Sequence, residues 1–87
     1  MTPDDHEVAL KSVLFDVRQA VVRQAYEWGY QERHFSEWEI ILTEELAEAK
    51  TQAIVAKETA YEELVQAAAV ILSWLRNIKA LDNKKER

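Results

Sequence analysis

Residues 59–81, TAYEELVQAAAVILSWLRNIKAL, contain neither glycine nor proline and are apolar on nearly every side from Leu64 to Leu75. A segment of this length predicts a helix, because a strand would reach turn residues after roughly four to eight positions. Thr59 and Glu62 have the spacing of a capping box, so we expect the helix to begin at Thr59 and to end near Leu81. The polar residues 82–87 are expected to fray.

Two further helices have start signals of their own. Thr2 is a good N-cap residue and Pro3 suits the first helical position, while Gly29 is a natural stop. Between these signals an apolar stripe recurs at steps of three and four residues, formed by Leu10, Leu14, Val17, Val21, Ala25 and Trp28. Ser36 and Glu39 form a second predicted capping box, which starts a helix that runs to about residue 55 or 56.

The second and third helices are joined by a predicted link of about three residues around Lys57 and Glu58, which makes them antiparallel neighbours. We therefore predict an all-α single domain, residues 1–87, in which three long helices form an antiparallel bundle. The third helix is apolar nearly all round, and a helix buried on every side of a three-helix chain requires a second subunit. The chain is also short for an independent core, although 48% of its residues are hydrophobic. We expect oligomerisation to complete the bundle.

Composition excludes several classes of protein. The chain has 87 residues and a net charge of −5, and it lacks a basic stripe outside its C-terminal tail, so we expect no nucleic-acid polymer as a partner. The absence of cysteine excludes a disulfide framework and a thiolate zinc site. The longest uncharged run, Leu64 to Leu75, falls short of the roughly 18 residues that cross a membrane. The acidic N-terminus does not resemble a signal peptide. We expect a soluble cytoplasmic protein that binds no membrane.

Acidic residues are concentrated on the second helix at Glu44, Glu45 and Glu48. At spacings of three and four they share a face where like charges repel, and a bound cation is the simplest compensation. Carboxylate oxygens are the ligands that Mg²⁺ and Mn²⁺ prefer. If the hairpin turns midway through the predicted link, Glu63 lies about one helical turn from Glu48. Gln66 then lies next to Glu48 on the facing helix. We predict that these side chains converge on a metal ion.

The spacing of these residues resembles a known signature. The pattern E-E-x-x-E…E-x-x-D is found in the all-α nucleoside triphosphate pyrophosphohydrolases, the MazG-like family. The residues that match its positions here are Glu44, Glu45, Glu48, Glu63 and Gln66. The segments WEIILT before the double glutamate and ELVQAAAV in the third helix resemble the short MazG-like branch. The similarity covers about residues 25–80.

The resemblance implies an activity and a site. Members of the family bind Mg²⁺ through the motif acids, cleave nucleoside triphosphates to the monophosphate and pyrophosphate, and assemble as homodimers or homotetramers. Carried over, Glu45, Glu48 and Glu63 are metal ligands, and Glu44 positions or activates the attacking water. The implied function is a Mg²⁺-dependent pyrophosphohydrolase that removes unwanted (deoxy)nucleoside triphosphates, with Mn²⁺ as an alternative ion.

Gln66 departs from the family pattern, which has aspartate at this position. Its side chain offers a neutral carbonyl oxygen as a metal ligand, so the departure implies weaker metal binding or fewer ions. A buried amide in an otherwise apolar helix also needs hydrogen-bond partners. Two alternatives follow. One is a non-catalytic MazG-like protein that binds a nucleotide or a protein partner, and the other is a plain helical oligomerisation module.

Three residues are candidates for substrate binding. Trp38 can stack on a nucleobase, and His34, in the loop before the second helix, can hydrogen-bond a base or a phosphate. Lys50 is a candidate phosphate partner. Core packing is the simpler interpretation of the other two tryptophans, Trp28 and Trp74.

Overall fold

The protein is a bundle of three long helices. The structure, a computed structural model, describes the backbone of residues 1–29 and 32–85 and the side chains of all of these except 57, 58 and 85. The helices are α1 (Pro3–Trp28), α2 (Phe35–Val55) and α3 (Lys57–Lys85). The described residues contain no strand. The predicted all-α class and the three helices are confirmed.

Helix α1 begins and ends where its sequence signals indicate. The Thr2 hydroxyl accepts a hydrogen bond from the Asp5 backbone N–H, and the Asp5 carboxylate accepts one from the Thr2 N–H in return. At the other end Gly29 has φ 77°, a left-handed value that favours glycine, and its N–H closes the helix on the Ala25 carbonyl at 2.8 Å.

The link between α2 and α3 is shorter than predicted and consists of Ala56 alone. Ala56 is extended, with φ −155° and ψ 121°. Its N–H donates to the Gln52 carbonyl at 2.7 Å, and its carbonyl accepts from the Ala60 N–H at 3.2 Å. One residue thus closes α2 and opens α3. The predicted start at Thr59 is wrong for this reason, because Thr59 lies within the first turn of α3.

Two other predicted boundaries also shift. The N-cap of α2 is His34 rather than Ser36, because the imidazole Nδ1 accepts a hydrogen bond from the Ser36 backbone N–H at 3.2 Å. Phe35, the first residue of α2, packs edge-on against Trp74 with 4.6 Å between the ring centroids. This contact holds the start of α2 on α3. The expected frayed tail is helical as far as Lys85, and residues 86 and 87 lie outside the described residues.

Helix α3 is the centre of the bundle. Within the described residues α1 and α2 both pack on α3 and not on each other. Helix α2 runs antiparallel to α3, as its single-residue link requires, and α1 runs parallel to α3. Small residues allow the close approach, and the cluster between α1 and α3 consists of Val17, Ala20, Val65 and Ala69, with Val21 and Ala68 packed against it.

Much of the apolar stripe predicted for α1 is exposed. Val17 and Ala25 are buried, whereas Leu10 and Leu14 are exposed, and Trp28 is 40% exposed. The reason is an offset along the bundle. The Tyr61 hydroxyl, in the second turn of α3, donates to the carboxylate of Asp16, so the part of α1 before Asp16 extends past the start of α3. Residues 1–15 are all exposed.

One face of α3 is also uncovered, although the sequence predicts burial all round. Its large apolar side chains are between 42% and 52% exposed and are Leu64, Ile71, Leu72, Leu75 and Ile78. Within the part of the chain that the structure describes, residues 59–84 are long and apolar enough to cross a membrane by length and composition alone. That is weak support for a span, because the core helix of a soluble protein passes the same test.

Candidate metal centre

Three motif glutamates converge where α2 faces α3. One carboxylate oxygen from each of Glu45, Glu48 and Glu63 lies within 4.8 Å of the other two. Glu45 and Glu63 are partly buried, and Glu48 is exposed. We call these residues the acidic triad. An octahedral Mg²⁺ site has ligand oxygens about 3 to 4 Å apart, so modest side-chain rotation brings the triad to the required spacing.

The register of the hairpin brings the triad together. Trp38 and Trp74 lie at equal distances along the chain from Ala56, and their rings stack with 6.4 Å between centroids and 8° between planes. In this register Glu48 and Glu63 lie almost level, closer than the one-turn offset predicted from a three-residue link. The Glu45 side chain reaches the same point because residues three apart share a helix face.

Electrostatics in the triad oppose full ionisation. The pKa of Glu45 is raised above its ordinary value by partial burial and by the negative charges of Glu48, Glu63 and Glu44. The pKa of Glu63 is raised by partial burial, by hydrogen bonding to the Glu48 carboxyl group, and by the negative charges of Glu48 and Glu62. A cation between the carboxylates would favour their ionised forms and reverse these shifts.

Two residues of the triad, Glu48 and Glu63, border an open depression. It has a volume of about 280 Å³ and is lined by Ala47, Glu48, Thr51, Gln52 and Glu63. Thr51 directs its hydroxyl back to the Ala47 carbonyl at 3.0 Å, so the hydrogen bond of that hydroxyl is made within α2. The carboxylates of Glu48 and Glu63 are therefore the charged groups that a ligand in this depression meets.

The remaining two motif residues lie outside the triad. Glu44 is exposed on α2, and its contribution here is the negative charge that raises the pKa of Glu45. Gln66 is directed towards α1, where its Oε1 accepts a hydrogen bond from Gln24 Nε2 at 3.1 Å. The same Gln24 nitrogen donates to the Gln66 backbone carbonyl at 3.3 Å. The partner that a buried Gln66 amide needs is thus supplied by the protein.

The three predicted substrate-binding residues lie away from the triad. Trp38 is 6% exposed, and its indole N–H donates to Asn77 Oδ1 at 3.1 Å, so little of the ring is accessible to a base. His34 caps α2. Lys50 is exposed on α2 two residues from Glu48, and residues two apart do not face each other on a helix. Their role in substrate binding stays a prediction.

Gln24 and Asn77 were missed in the sequence, although a signal for both exists there. Gln24 stands three residues after Val21 on the apolar stripe of α1, and Asn77 stands three residues after Trp74 on α3. A polar residue at an apolar stripe position indicates a buried hydrogen bond across helices. The partner could not be read from the sequence, because it is on another helix.

Comparison with known proteins adds no family assignment. No family model, no curated protein and no solved structure matches this chain. The candidate site is therefore judged on its own residues and geometry.

Proposed function

We propose that this protein is a Mg²⁺-dependent nucleotide pyrophosphohydrolase that converts (deoxy)nucleoside triphosphates to monophosphates and pyrophosphate. The observation that carries the proposal is the acidic triad. Its members come from both halves of the motif, two from α2 and one from α3, and their oxygens lie within 4.8 Å of one another. A chance distribution of exposed acids on two helices has no reason to follow the spacing of a metal-binding signature.

Each carboxylate has a role in this proposal. Glu45, Glu48 and Glu63 bind Mg²⁺, or Mn²⁺ in its place, and Glu44, next to the triad, positions or activates the attacking water. The bound ion supplies charge neutralisation for the phosphates and lowers the pKa of coordinated water. The open depression beside Glu48 and Glu63 leaves room for the phosphates of a substrate.

The raised pKa values of Glu45 and Glu63 support the same proposal. Like charges held together without compensation destabilise a fold, so their retention on facing helices suits a site that a cation completes. The donor set contains only oxygen, which suits Mg²⁺ and Mn²⁺ better than zinc or copper.

A pyrophosphate-release assay tests the proposal. The purified protein is incubated with a panel of nucleoside triphosphates and Mg²⁺, with Glu48→Gln as the inactive reference. We expect Mg²⁺-dependent release of pyrophosphate by the wild type and a loss of about 100-fold or more in the variant, as removal of a charge-stabilising group costs in other enzymes. If the wild type releases no more pyrophosphate than Glu48→Gln with any nucleotide of the panel, the proposed enzymatic activity is contradicted.

A second function is favoured by the state of Gln66. The hydrogen bond from Gln24 directs this amide towards α1, and glutamine brings no negative charge to the site. A site with three charged ligands suits a non-catalytic MazG-like protein that binds a nucleotide or a protein partner. Calorimetric titration with Mg²⁺ and a non-hydrolysable nucleotide separates the two functions, since binding without pyrophosphate release supports the second. Absence of any heat contradicts both.

We further propose that the protein is a homodimer or a homotetramer in the cytoplasm. The support is the uncovered face of α3, where Leu64, Ile71, Leu75 and Ile78 recur on one side of the helix and are each at least 42% exposed. Light scattering coupled to size-exclusion chromatography tests the assembly. We expect Leu75→Glu to lower the measured mass to that of one chain, with Tyr26→Glu, at a position on α1 that is 92% exposed, as the matched control. A monomeric wild type would contradict this part of the proposal.

A further inference from the structure

Gln24 on α1 holds the side chain of Gln66, the residue that departs from the metal-binding signature. Gln24 Nε2 donates to Gln66 Oε1 at 3.1 Å and to the Gln66 backbone carbonyl at 3.3 Å. A backbone carbonyl only accepts hydrogen bonds, so the Gln24 amide is fixed with its nitrogen towards α3. Gln66 Oε1 is the side-chain atom of this residue that is able to bind a cation, and it is held by α1.

Gln66 is also close to the acidic triad. It follows Glu63 by three residues on α3, and residues three apart on a helix have Cβ atoms about 5–6 Å apart. Gln66 is only partly buried, and it borders an open groove of about 580 Å³ between α1 and α3. Its side chain therefore has space to rotate from Gln24 towards Glu63 while both helices stay in place.

Release of the Gln66 side chain would remove only one of the two hydrogen bonds that Gln24 donates. Gln24 is 4% exposed, so its amide does not turn to water instead. The bond to the Gln66 backbone carbonyl is kept when the Gln66 side chain rotates, because that carbonyl belongs to α3. The buried donor thus keeps a partner. The loss is that of one neutral hydrogen bond, a factor of about three to ten in an equilibrium constant.

The acidic triad leaves positions open for a further ligand. It supplies three carboxylate oxygens, whereas an octahedral ion takes six oxygen ligands. Hard divalent cations accept glutamine carbonyl oxygens as well as carboxylates and water. The Gln66 carbonyl oxygen is neutral, so it would add a ligand without adding charge to a site where carboxylates already repel one another.

We propose that Gln66 Oε1 is shared between α1 and the metal centre, bonded to Gln24 in the metal-free protein and coordinated to the cation in the metal-bound protein. Gln24 is then a positioning residue that withholds a ligand and weakens cation binding. The coupling is reciprocal, so a bound cation weakens the contact between Gln24 and Gln66 by the same factor. The inference rests on the proposed metal centre, and it holds whether the protein hydrolyses nucleotides or only binds them.

Calorimetric titration of the full chain with Mg²⁺ alone tests the competition. Gln24→Met removes the donor but keeps an unbranched side chain of similar length, and we expect it to tighten Mg²⁺ binding about three- to tenfold. Gln19→Met is the matched control and should leave affinity unchanged. Gln19 is exposed on the same helix and lines the same groove, and within the described residues it shares no hydrogen bond with Gln66. A merely structural role for Gln24 predicts the opposite sign, because a loosened core would weaken binding.

A double-mutant cycle shows whether the gain depends on Gln66. In a Gln66→Met background, the further change Gln24→Met should leave Mg²⁺ affinity unchanged within about twofold, because the shared oxygen is absent from both proteins. Circular dichroism checks that each variant keeps the helix content of the wild type. A gain of three- to tenfold in the Gln66→Met background as well would overturn the proposal.

A second measurement uses the wild type and does not depend on the folding of a variant. The side-chain NH₂ resonances of Gln24 and Gln66 are followed by NMR in the ¹⁵N-labelled full chain as Mg²⁺ is added. We expect both to shift and to saturate at the midpoint that calorimetry gives, because both amides lose the bond between them. Resonances of Gln66 that stay in place while Mg²⁺ binds would show that its oxygen remains with Gln24 and would overturn the proposal.

Failure of this inference is distinguishable from failure of the metal centre. If the wild type binds Mg²⁺ and Gln24→Met binds it equally or more weakly, only the sharing of Gln66 is contradicted. If neither protein binds Mg²⁺ at any concentration in the titration, the proposed metal centre is contradicted together with this inference.

Discussion

The interface between α2 and α3 contains two regions, one held by favourable contacts and one that brings like charges together. Near its open end, Trp38, Trp74, Phe35 and Asn77 supply one another with ring contacts and a hydrogen bond, and we call these four residues the indole end. Nearer the Ala56 link, the acidic triad holds three acidic groups close together, and the pKa values of Glu45 and Glu63 are raised there. The contacts of the indole end stabilise the folded protein, whereas the repulsion within the acidic triad destabilises it.

The difference indicates how a small chain can hold a repulsive site. The indole end fixes the register of the hairpin by contacts that are satisfied within the protein, and the same register places Glu48 opposite Glu63. Arg33 adds to this region, since its guanidinium lies 5.7 Å from the centroid of the Trp38 ring and its backbone N–H donates to Asn77. The triad therefore depends on packing to which its own residues do not contribute.

The largest expected effect is a loss of stability when the indole end is disrupted. Trp38→Ala removes a buried ring and leaves Asn77 without its indole donor, so we expect the free energy of unfolding to fall by about 3–5 kcal/mol. Urea unfolding followed by circular dichroism measures it. Tyr26→Ala is the control, since Tyr26 is 92% exposed, and should change stability by less than about 0.5 kcal/mol. A cost below about 1 kcal/mol for Trp38→Ala would break the assignment of the register to the indole end.

On the functional side we expect Glu45→Gln to reduce Mg²⁺-dependent pyrophosphate release about 100-fold, equivalent to roughly 2.7 kcal/mol in the barrier. The reason is that Glu45 is a partly buried member of the triad, and in the proposed mechanism its carboxylate binds the metal ion. Glu39→Gln, an exposed acid elsewhere on α2, provides the matched control and should retain activity. Similar rates for the two variants would show that the triad has no role in turnover.

The third prediction concerns pH. The folded-state pKa values of Glu45 and Glu63 lie above the ordinary value of 4.5. An acid with a raised folded pKa binds its proton more tightly when folded, so its stabilising contribution is complete below pH 4.5 and is lost as pH rises through the raised pKa. We expect the Tm of the metal-free protein to fall as pH rises above 4.5.

Excess Mg²⁺ should recover that Tm near neutral pH, because an ion that binds only the folded state stabilises it. The double variant Glu45→Gln and Glu63→Gln isolates the effect and should flatten both responses. The only other described carboxyl group with a resolved shift, Asp5, has a pKa lowered below 3.8 by its bonds to Thr2, so its contribution changes outside this pH window. An unchanged Tm with and without Mg²⁺ would contradict a cation site.

The smallest expected effect is a gain in stability. Glu48→Gln relieves repulsion with Glu44 and Glu45 on α2 and with Glu63 across the hairpin, so the metal-free variant should be more stable than wild type by about 0.5 kcal/mol near neutral pH. Glu39→Gln should not share the gain. Urea unfolding in the presence of a chelator measures both. A Glu48→Gln variant that is less stable than wild type would mean that the carboxylates are compensated by contacts other than a metal.

Features that depend on neighbours along the chain were determined by the sequence. The Thr2 cap, the Gly29 stop and the all-α class follow from local hydrogen bonding and helical periodicity, which act over a few residues. The face shared by Glu45 and Glu48 follows from the same periodicity. The sequence also indicated that Gln66 would need a buried partner.

Only the tertiary structure decided features that depend on residues distant in the chain. Ala56 as the sole link sets the Glu48–Glu63 register, and a one-residue change in that link rotates every side chain by about 100° relative to the facing helix. The choice of Gln24 as the partner of Gln66 depends on where α1 lies along α3. The exposure of Leu10 has the same origin, because α1 extends past the start of α3. Local propensities fix which residues are helical, but only packing fixes the offset between helices.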